Sequence, residues 1–122
     1  MKSVSPVLAF VALLAFATLT NAQEKSAEQA VRRVVADFAE AINRGDTKSF
    51  AALFTEDADF VVITAKSLKA RNEIATYHAG LFTGDFQDSH LGGTSVSVRF
   101  LRPDVAVARA STKRYLQHVL GS

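Results

Sequence analysis

The sequence predicts an α+β domain in which helices lie on one face of a curved, mostly antiparallel sheet. Three observations predict this class. Apolar residues recur at helical spacing early in the chain, apolar and polar residues alternate over residues 95–100, and a turn then leads into a second strand-like run. The chain has 122 residues, of which 48% are hydrophobic, and this suits one globular domain.

Three helices are predicted ahead of the hairpin. Ser26 and Gln29 have the spacing of a capping box at the start of the first helix, and Gly45 can take the left-handed conformation that ends it. Asp46 is the expected cap of a short second helix, and Gly84 breaks the third. The predicted helices cover residues 26–43, 47–54 and 72–82.

The strand predictions rest on runs of β-branched and aromatic residues. Val96, Val98 and Phe100 alternate with polar residues and so face one side of a long strand. Gly92 and Gly93 predict a bulge near its start, and an Arg-Pro-Asp turn joins it to a return strand as an antiparallel hairpin. The predicted strands cover residues 58–64, 89–101 and 105–112.

The N-terminus has the features of a secretory signal peptide. Lys2 supplies a positive charge, and an apolar run from Val7 to Leu19 is too short to span a bilayer but fits a signal sequence. Small residues predict cleavage after Ala22. We therefore expect a secreted or periplasmic protein with a signal peptide over 1–22 and a single domain over 23–122. The alternative is that the segment is not cleaved and anchors the protein at its N-terminus, which is the only membrane contact we expect.

Composition narrows the classes of function. Fourteen basic and 12 acidic residues are interleaved and give a net charge of +2, so no nucleic acid partner is expected. The chain has no Cys, which excludes thiol catalysis, thiolate metal sites and disulfides. No dinucleotide or flavin motif is visible, so no cofactor is predicted, and no third ligand joins Asp88 and His90, so no metal site is predicted.

Four stretches resemble the nuclear transport factor 2-like superfamily, specifically its SnoaL-like members, and are most similar to the SgcJ/EcaC family. FAEAINRGDTKSFAALFTEDADFV resembles the helix–turn–helix–strand signature, and HAGLF resembles a helix ending seen there. KARNEI stands where members tend to have a Gly-Arg pair that opens the third helix, and VRFLRPDVAVARA is similar to their central hairpin. The resemblance covers residues 28–111.

The resemblance implies a cone-like curved antiparallel sheet packed on three N-terminal helices, with an apolar pocket between them. Such a pocket suits a small hydrophobic ligand, and members commonly form homodimers through the sheet. The residues that would line the pocket are apolar or aromatic side chains of the helices and the first strand. The expected ligand-binding residues are Phe38, Phe54, Phe60, Val62, Tyr77, His78 and Phe82.

In isomerase members a general-base carboxylate lies on the first strand, and the resemblance places Val61 or Val62 at that position. Valine cannot accept a proton. His78 is then the candidate catalytic acid or base, since imidazole titrates near neutral pH; the alternative is a hydrogen-bonded histidine of the helix facing the sheet. Asp57 and Asp59 fit a solvated turn.

The chain departs from the family pattern after about residue 112. Tyr115, Leu116, Val119 and Leu120 have helical spacing, and Gly121 resembles a helix end, where members continue with two further strands. Three functions stay open: an exported binding module for a small apolar molecule, a cyclase or isomerase that uses His78, and a truncated, non-functional homologue. A partner chain that supplies the missing sheet edge is the alternative to truncation.

Overall fold

The computed structural model describes residues 6–84 and 87–116. Three helices and four strands lie within these residues, in the order helix, helix, hairpin, helix, hairpin, so the predicted α+β class with antiparallel strands is confirmed. The elements are α1 (Pro6–Arg44), α2 (Thr47–Ala51), β1 (Asp59–Val61), β2 (Ser67–Lys69), α3 (Ala70–Thr83), β3 (Ser89–Arg102) and β4 (Val105–Leu116).

Helix α1 is continuous over 39 residues, so the predicted start at Ser26 is wrong. The backbone N–H groups around Ser26 are already inside a helix, and a capping box is not needed there. The predicted end is confirmed: Gly45 has φ +63°, and the N–H groups of Gly45 and Asp46 bond the carbonyls of Ile42 and Ala41 at 3.1 and 2.9 Å. Within the described residues, no helix combines the length and the apolar character needed to cross a membrane.

Helix α2 is capped by Asp46, as predicted. One carboxylate oxygen accepts the Ser49 N–H at 3.1 Å and the other accepts the Ser49 hydroxyl at 2.6 Å. These hydrogen bonds to the charged form hold the pKa of Asp46 below its usual value. The helix ends at Ala51 rather than residue 54, because the next N–H groups bond back three residues and tighten into a turn.

The strand predicted over 58–64 is shorter than its composition suggested. Strand β1 pairs antiparallel with β2, with Phe60 opposite Leu68, and the chain reverses between them. In the turn, the N–H of Val62 bonds the carbonyl of Lys66 at 3.0 Å, and Ala65 takes a φ of +65°. Ile63 is therefore fully exposed at the turn, although β-branched residues continue through it.

Helix α3 begins at Ala70, two residues before the predicted start, and its first turn is tied to the preceding loop. Ala70, at φ +68°, donates its N–H to Ala58 at 2.9 Å, and Arg71 donates its N–H to Glu56 at 3.1 Å. The Glu73 carboxylate accepts the Lys69 N–H at 2.7 Å. These bonds fix the angle at which the helix leaves β2.

The long hairpin is confirmed. β3 and β4 pair antiparallel, with Val96 opposite Ala110, and the register shifts between Gly92 and Ser95, where Gly93 has φ +62°. The helical pattern predicted from Tyr115 onward is wrong where the structure describes it, because Tyr115 and Leu116 continue β4. The remaining tail positions, Val119, Leu120 and Gly121, lie outside the described residues.

Two α1 side chains fasten that helix to β3. The Asn43 amide donates to the Leu91 carbonyl at 2.9 Å and accepts the Leu91 N–H at 2.6 Å. Arg32 pairs with Glu28 at 2.8 Å and also donates to the Val96 carbonyl at 2.8 Å. Along this side of β3, side chains of α1 thus bond backbone groups that a neighbouring strand would otherwise bond.

Candidate functional site

His78 lies on the inner face of α3 and is 6% exposed. Its Nδ1 atom is 2.8 Å from the carbonyl oxygen of Ile74, one turn earlier in the helix. A carbonyl can only accept, so Nδ1 carries the proton and Nε2 keeps its lone pair. Burial lowers the pKa of His78 below 6.5, and the hydrogen bond to Ile74 opposes this shift more weakly. The side chain is therefore a neutral imidazole at pH 7.

Aromatic rings surround this imidazole. The ring centroids of Phe50, Phe60, Tyr77 and Phe82 lie 4.4, 5.0, 5.3 and 6.1 Å from that of His78. Among the described residues, no side chain forms a hydrogen bond or ion pair with Nε2. An imidazole with one unused acceptor in an apolar wall can recognise a donor, or take a proton, from a molecule that reaches it.

We call this group the aromatic cluster. It consists of the seven rings of Phe38, Phe50, Phe54, Phe60, Tyr77, His78 and Phe82. Phe50 is its centre, fully buried, with the rings of Phe38 and Phe54 at 5.1 and 5.2 Å. The cluster joins α1, α2, β1 and α3, and it is also the main core of the domain.

The seven residues expected to bind a ligand come together in the structure. His78 and Phe82 are buried, and the other five are partly exposed around the same core. They pack against one another, so a ligand would meet the partly exposed rim of the aromatic cluster. Their role in binding stays a prediction. The sequence analysis did not include Phe50, although its spacing of four from Phe54 on a predicted helix places both rings on one face.

No carboxylate stands beside His78 in the described part of the chain. The resemblance would place a base at Val61 or Val62; Val61 is 66% exposed, and Val62 begins the turn after β1. Asp57 is exposed, and Asp59 pairs with Lys69 at 2.9 Å on the surface. The β1 strand thus contributes apolar wall, through Phe60, rather than an acid.

The basic residues near α3 have structural partners. Arg71 donates to the Phe54 carbonyl through Nε at 2.8 Å and through Nη2 as well, which anchors the loop after α2. Lys66 lies 5.5 Å from the centre of the Tyr77 ring, and Lys69 pairs with a carboxylate as described. Across the described ranges, His, Asp and Glu side chains form no group of three that could hold a metal ion.

Two open clefts lie away from the aromatic cluster's centre. One, of about 320 Å³, lies between α1 and α2 and is lined by Asp37, Glu40 and Ser49 among others. The other, of about 980 Å³, lies where residues 20–28 of α1 pass the turn of the long hairpin at residues 100–103. His78 lines neither, so the candidate site is defined by the imidazole and its rings.

Comparisons with known proteins identify the fold. A family described as the SnoaL-like domain matches residues 23–121. A domain of unknown function with a cystatin-like fold from Nostoc punctiforme shares 33% identity and a TM-score of 0.70, with 75% of this chain and 56% of that chain covered. No curated protein matches the chain.

Two further solved structures share the fold at lower identity. An uncharacterized protein with a cystatin-like fold from Caulobacter vibrioides has a TM-score of 0.69 at 19% identity, over 73% of this chain and 63% of that chain. A proposed scytalone dehydratase from Novosphingobium aromaticivorans has a TM-score of 0.69 at 18% identity, over 77% and 62%. The chain therefore spans between 56% and 63% of the lengths of these three proteins.

Proposed function

Because the chain belongs to the SnoaL-like domain family, we propose that it binds a small hydrophobic molecule against the aromatic cluster, where Nε2 of His78 accepts a hydrogen bond from it. The observation that carries this proposal is the hydrogen bond from His78 Nδ1 to Ile74, since it leaves the second nitrogen as a bare acceptor among rings. The described residues contain no fully buried side-chain nitrogen or oxygen without a partner, so Nε2 reaches the surface, where a ligand that brings a donor can bond it.

The surroundings define the class of ligand. Partly exposed rings favour an apolar or aromatic molecule, because its contact with them removes apolar surface from water. A neutral imidazole attracts neither anions nor cations by charge, so the polar group of the ligand is a neutral hydroxyl or N–H. A small aromatic alcohol meets both requirements.

The test compares 2-naphthol with 2-methoxynaphthalene, which has the same rings but no donor. Calorimetric titration of the full chain is expected to show about three- to tenfold tighter binding of 2-naphthol, the range of one hydrogen bond. In His78→Phe the aromatic ring is kept but the acceptor is lost, and the preference is expected to disappear.

The matched control is His90→Phe, because His90 lies exposed on β3, outside the aromatic cluster. This variant is expected to keep the preference for 2-naphthol. Equal affinity of the wild type for the two naphthalenes, or loss of the preference in both variants, would contradict the proposed role of His78. Absence of binding to either compound would contradict the proposed apolar site.

A cyclase- or isomerase-type enzyme is the second candidate, and the same nitrogen favours it. A neutral Nε2 with a lowered pKa can take a proton from a bound substrate at pH 7. Turnover of a lactone, ketosteroid or polyketide by the wild type, lost in His78→Phe while binding persists, would support catalysis. Its pH profile should rise through the lowered pKa of His78.

The finer assignments extend the same proposal. We propose membership of the SgcJ/EcaC branch on the motifs quoted above, and export on the charged start, the apolar run and the cleavage site after Ala22. The family match begins at residue 23, which is consistent with cleavage there. Mass spectrometry of the protein recovered from the periplasm or medium tests it, and an intact residue 1 there would contradict cleavage. A homodimer through the sheet stays a prediction.

A further inference from the structure

We propose that Lys66 makes the site at the aromatic cluster prefer ligands that carry a carboxylate as well as a hydroxyl group. The inference rests on the function proposed above, because it adds a second polar contact to the same ligand. Nε2 of His78 accepts the hydrogen bond of the hydroxyl, and the Lys66 ammonium pairs with the carboxylate. The ligand is then an aromatic hydroxy acid rather than a simple aromatic alcohol.

The turn between β1 and β2 holds Lys66 beside α3. The Val62 N–H bonds the Lys66 carbonyl at 3.0 Å, and the Ala65 N–H bonds the Val62 carbonyl at 2.8 Å. Ala65 has a φ of +65°, which lets the chain reverse directly before Lys66. Ser67, the next residue, already pairs with Val61 in the hairpin. The backbone of Lys66 is therefore fixed at the base of the turn.

The Lys66 ammonium lies at the rim of the aromatic cluster. Its Nζ atom is 5.5 Å from the centre of the Tyr77 ring, which is within the range of a cation–π contact. Tyr77 is half-buried and Lys66 is exposed, so both can be reached from solvent. The Tyr77 ring in turn lies 5.3 Å from the ring of His78. The positive charge thus belongs to the rim that a ligand would meet.

These distances limit the size of the ligand. The Lys66 ammonium and the centre of the His78 ring are at most 10.8 Å apart, which is the length of the two distances through Tyr77 taken together. One or two aromatic rings with polar groups at opposite ends bridge a gap of this order, because each hydrogen bond takes up part of it. The Tyr77 ring lies between the two polar contacts, where it can contact the apolar part of the ligand.

The neighbouring cations are occupied, which singles out Lys66. The Lys69 ammonium pairs with Asp59 at 2.9 Å, and the Lys69 N–H bonds the Glu73 carboxylate at 2.7 Å. The Arg71 guanidinium bonds a backbone carbonyl. Lys66, in contrast, forms no ion pair with any residue that the structure describes. Its ammonium group is thus the one of these cations placed to pair with a ligand.

The charge of the site favours a carboxylate over other anions. An ammonium group offers three donors and no acceptor, so it recognises an acceptor with negative charge. One ammonium balances the single charge of a carboxylate, whereas a phosphate monoester carries about 1.5 to 2 negative charges at pH 7. The neutral imidazole of His78 adds no positive charge that could balance the second.

The test compares 6-hydroxy-2-naphthoate with its methyl ester, which has the same rings and hydroxyl group but no charge. In calorimetric titration of the full chain at low salt, the acid is expected to bind about three- to tenfold more tightly than the ester. This preference should shrink as salt is added, because the charge pair is exposed to solvent.

Three variants assign the preference to one side chain. Lys66→Met keeps an unbranched side chain beside Tyr77 but loses the charge, so the preference for the acid is expected to disappear. Lys66→Arg keeps the charge and should retain the preference. The matched control is Lys113→Met, which removes a positive charge from an exposed position of β4, outside the aromatic cluster, and should also retain it.

The outcomes separate this inference from the proposed function. Equal affinity of the wild type for acid and ester, an unchanged preference in Lys66→Met, or its loss in Lys113→Met would overturn the role of Lys66. If the wild type still prefers 2-naphthol to 2-methoxynaphthalene, the proposed function survives that result. If the wild type shows no preference for 2-naphthol, the proposed function fails and this inference fails with it.

Discussion

Replacing Asn43 by Ala tests how strongly the long hairpin depends on a single side chain of α1. The substitution removes the bonds at 2.9 and 2.6 Å to the Leu91 carbonyl and N–H. Each hydrogen bond contributes about 1 kcal/mol, and each buried partner left unpaired costs about 1–3 kcal/mol before water relieves it. Since Leu91 is buried, we expect the free energy of unfolding to fall by about 2–4 kcal/mol.

The measurement is urea unfolding of the full chain followed by circular dichroism, with amide hydrogen exchange as a local readout. Exchange of the Leu91 amide should accelerate more than that of the Ile74 amide in α3. The matched control is Asn72→Ala, because Asn72 is exposed and its side chain bonds none of the described residues; we expect a change within about 0.5 kcal/mol. A loss below about 0.5 kcal/mol for Asn43→Ala would refute the reasoning.

Three further predictions concern the core and the start of α3. Ala70→Gly should raise the free energy of unfolding by up to about 1 kcal/mol, since Ala70 has φ +68°; a loss in urea unfolding would contradict this. Phe50→Ala should cost about 3–5 kcal/mol, because the ring is fully buried; retention of the wild-type melting temperature would contradict it. Burial lowers the pKa of His78 in the folded state, so as pH falls the imidazole takes up a proton in the unfolded chain before it does so in the folded chain. The contribution of the neutral His78 to stability is therefore complete above pH 6.5 and is lost as pH falls through the lowered pKa of the folded state. The stability difference between wild type and His78→Phe should therefore shift between pH 7.5 and 5, and a constant difference would be the contrary result.

The sequence predicted the elements that have a clear period. Helices α1 and α3 and the β3–β4 hairpin follow from helical spacing and from alternation, and the bulge follows from Gly92 and Gly93. The end of α1 was predictable because Gly45 is suited to a positive φ and Asp46 to a cap. These signals depend on residues close in sequence, so contacts with the rest of the chain do not change them.

The wrong predictions concern positions where local composition does not determine the secondary structure. Residues 62–64 have strand composition but lie in a turn, because β1 ends where its pairing with β2 ends. Ser26 has the chemistry of a cap, but the apolar run before it continues the helix. The positive φ of Ala70 was also not predictable, because alanine rarely takes this conformation.

The candidate site was partly predictable. The resemblance placed Phe54, Phe60 and Phe82 in one pocket with His78, and in the structure these side chains lie together in the core. The tautomer of His78 was not predictable, since it depends on one hydrogen bond to Ile74. The roles of Asn43 and Arg32 could not be predicted either, because each side chain hydrogen-bonds the backbone of a strand that is distant in sequence.

The most direct test of the proposed site is a long-range proton–nitrogen NMR correlation of the ¹⁵N-labelled full chain at pH 7.5, with and without 2-naphthol. The His78 signals are identified by their absence in His78→Phe. We predict a protonated Nδ1 and a bare Nε2, whose resonance moves upfield when 2-naphthol is added, as expected for a lone pair that accepts a hydrogen bond. A proton on Nε2, or an Nε2 resonance that does not move at saturating 2-naphthol, would contradict the account.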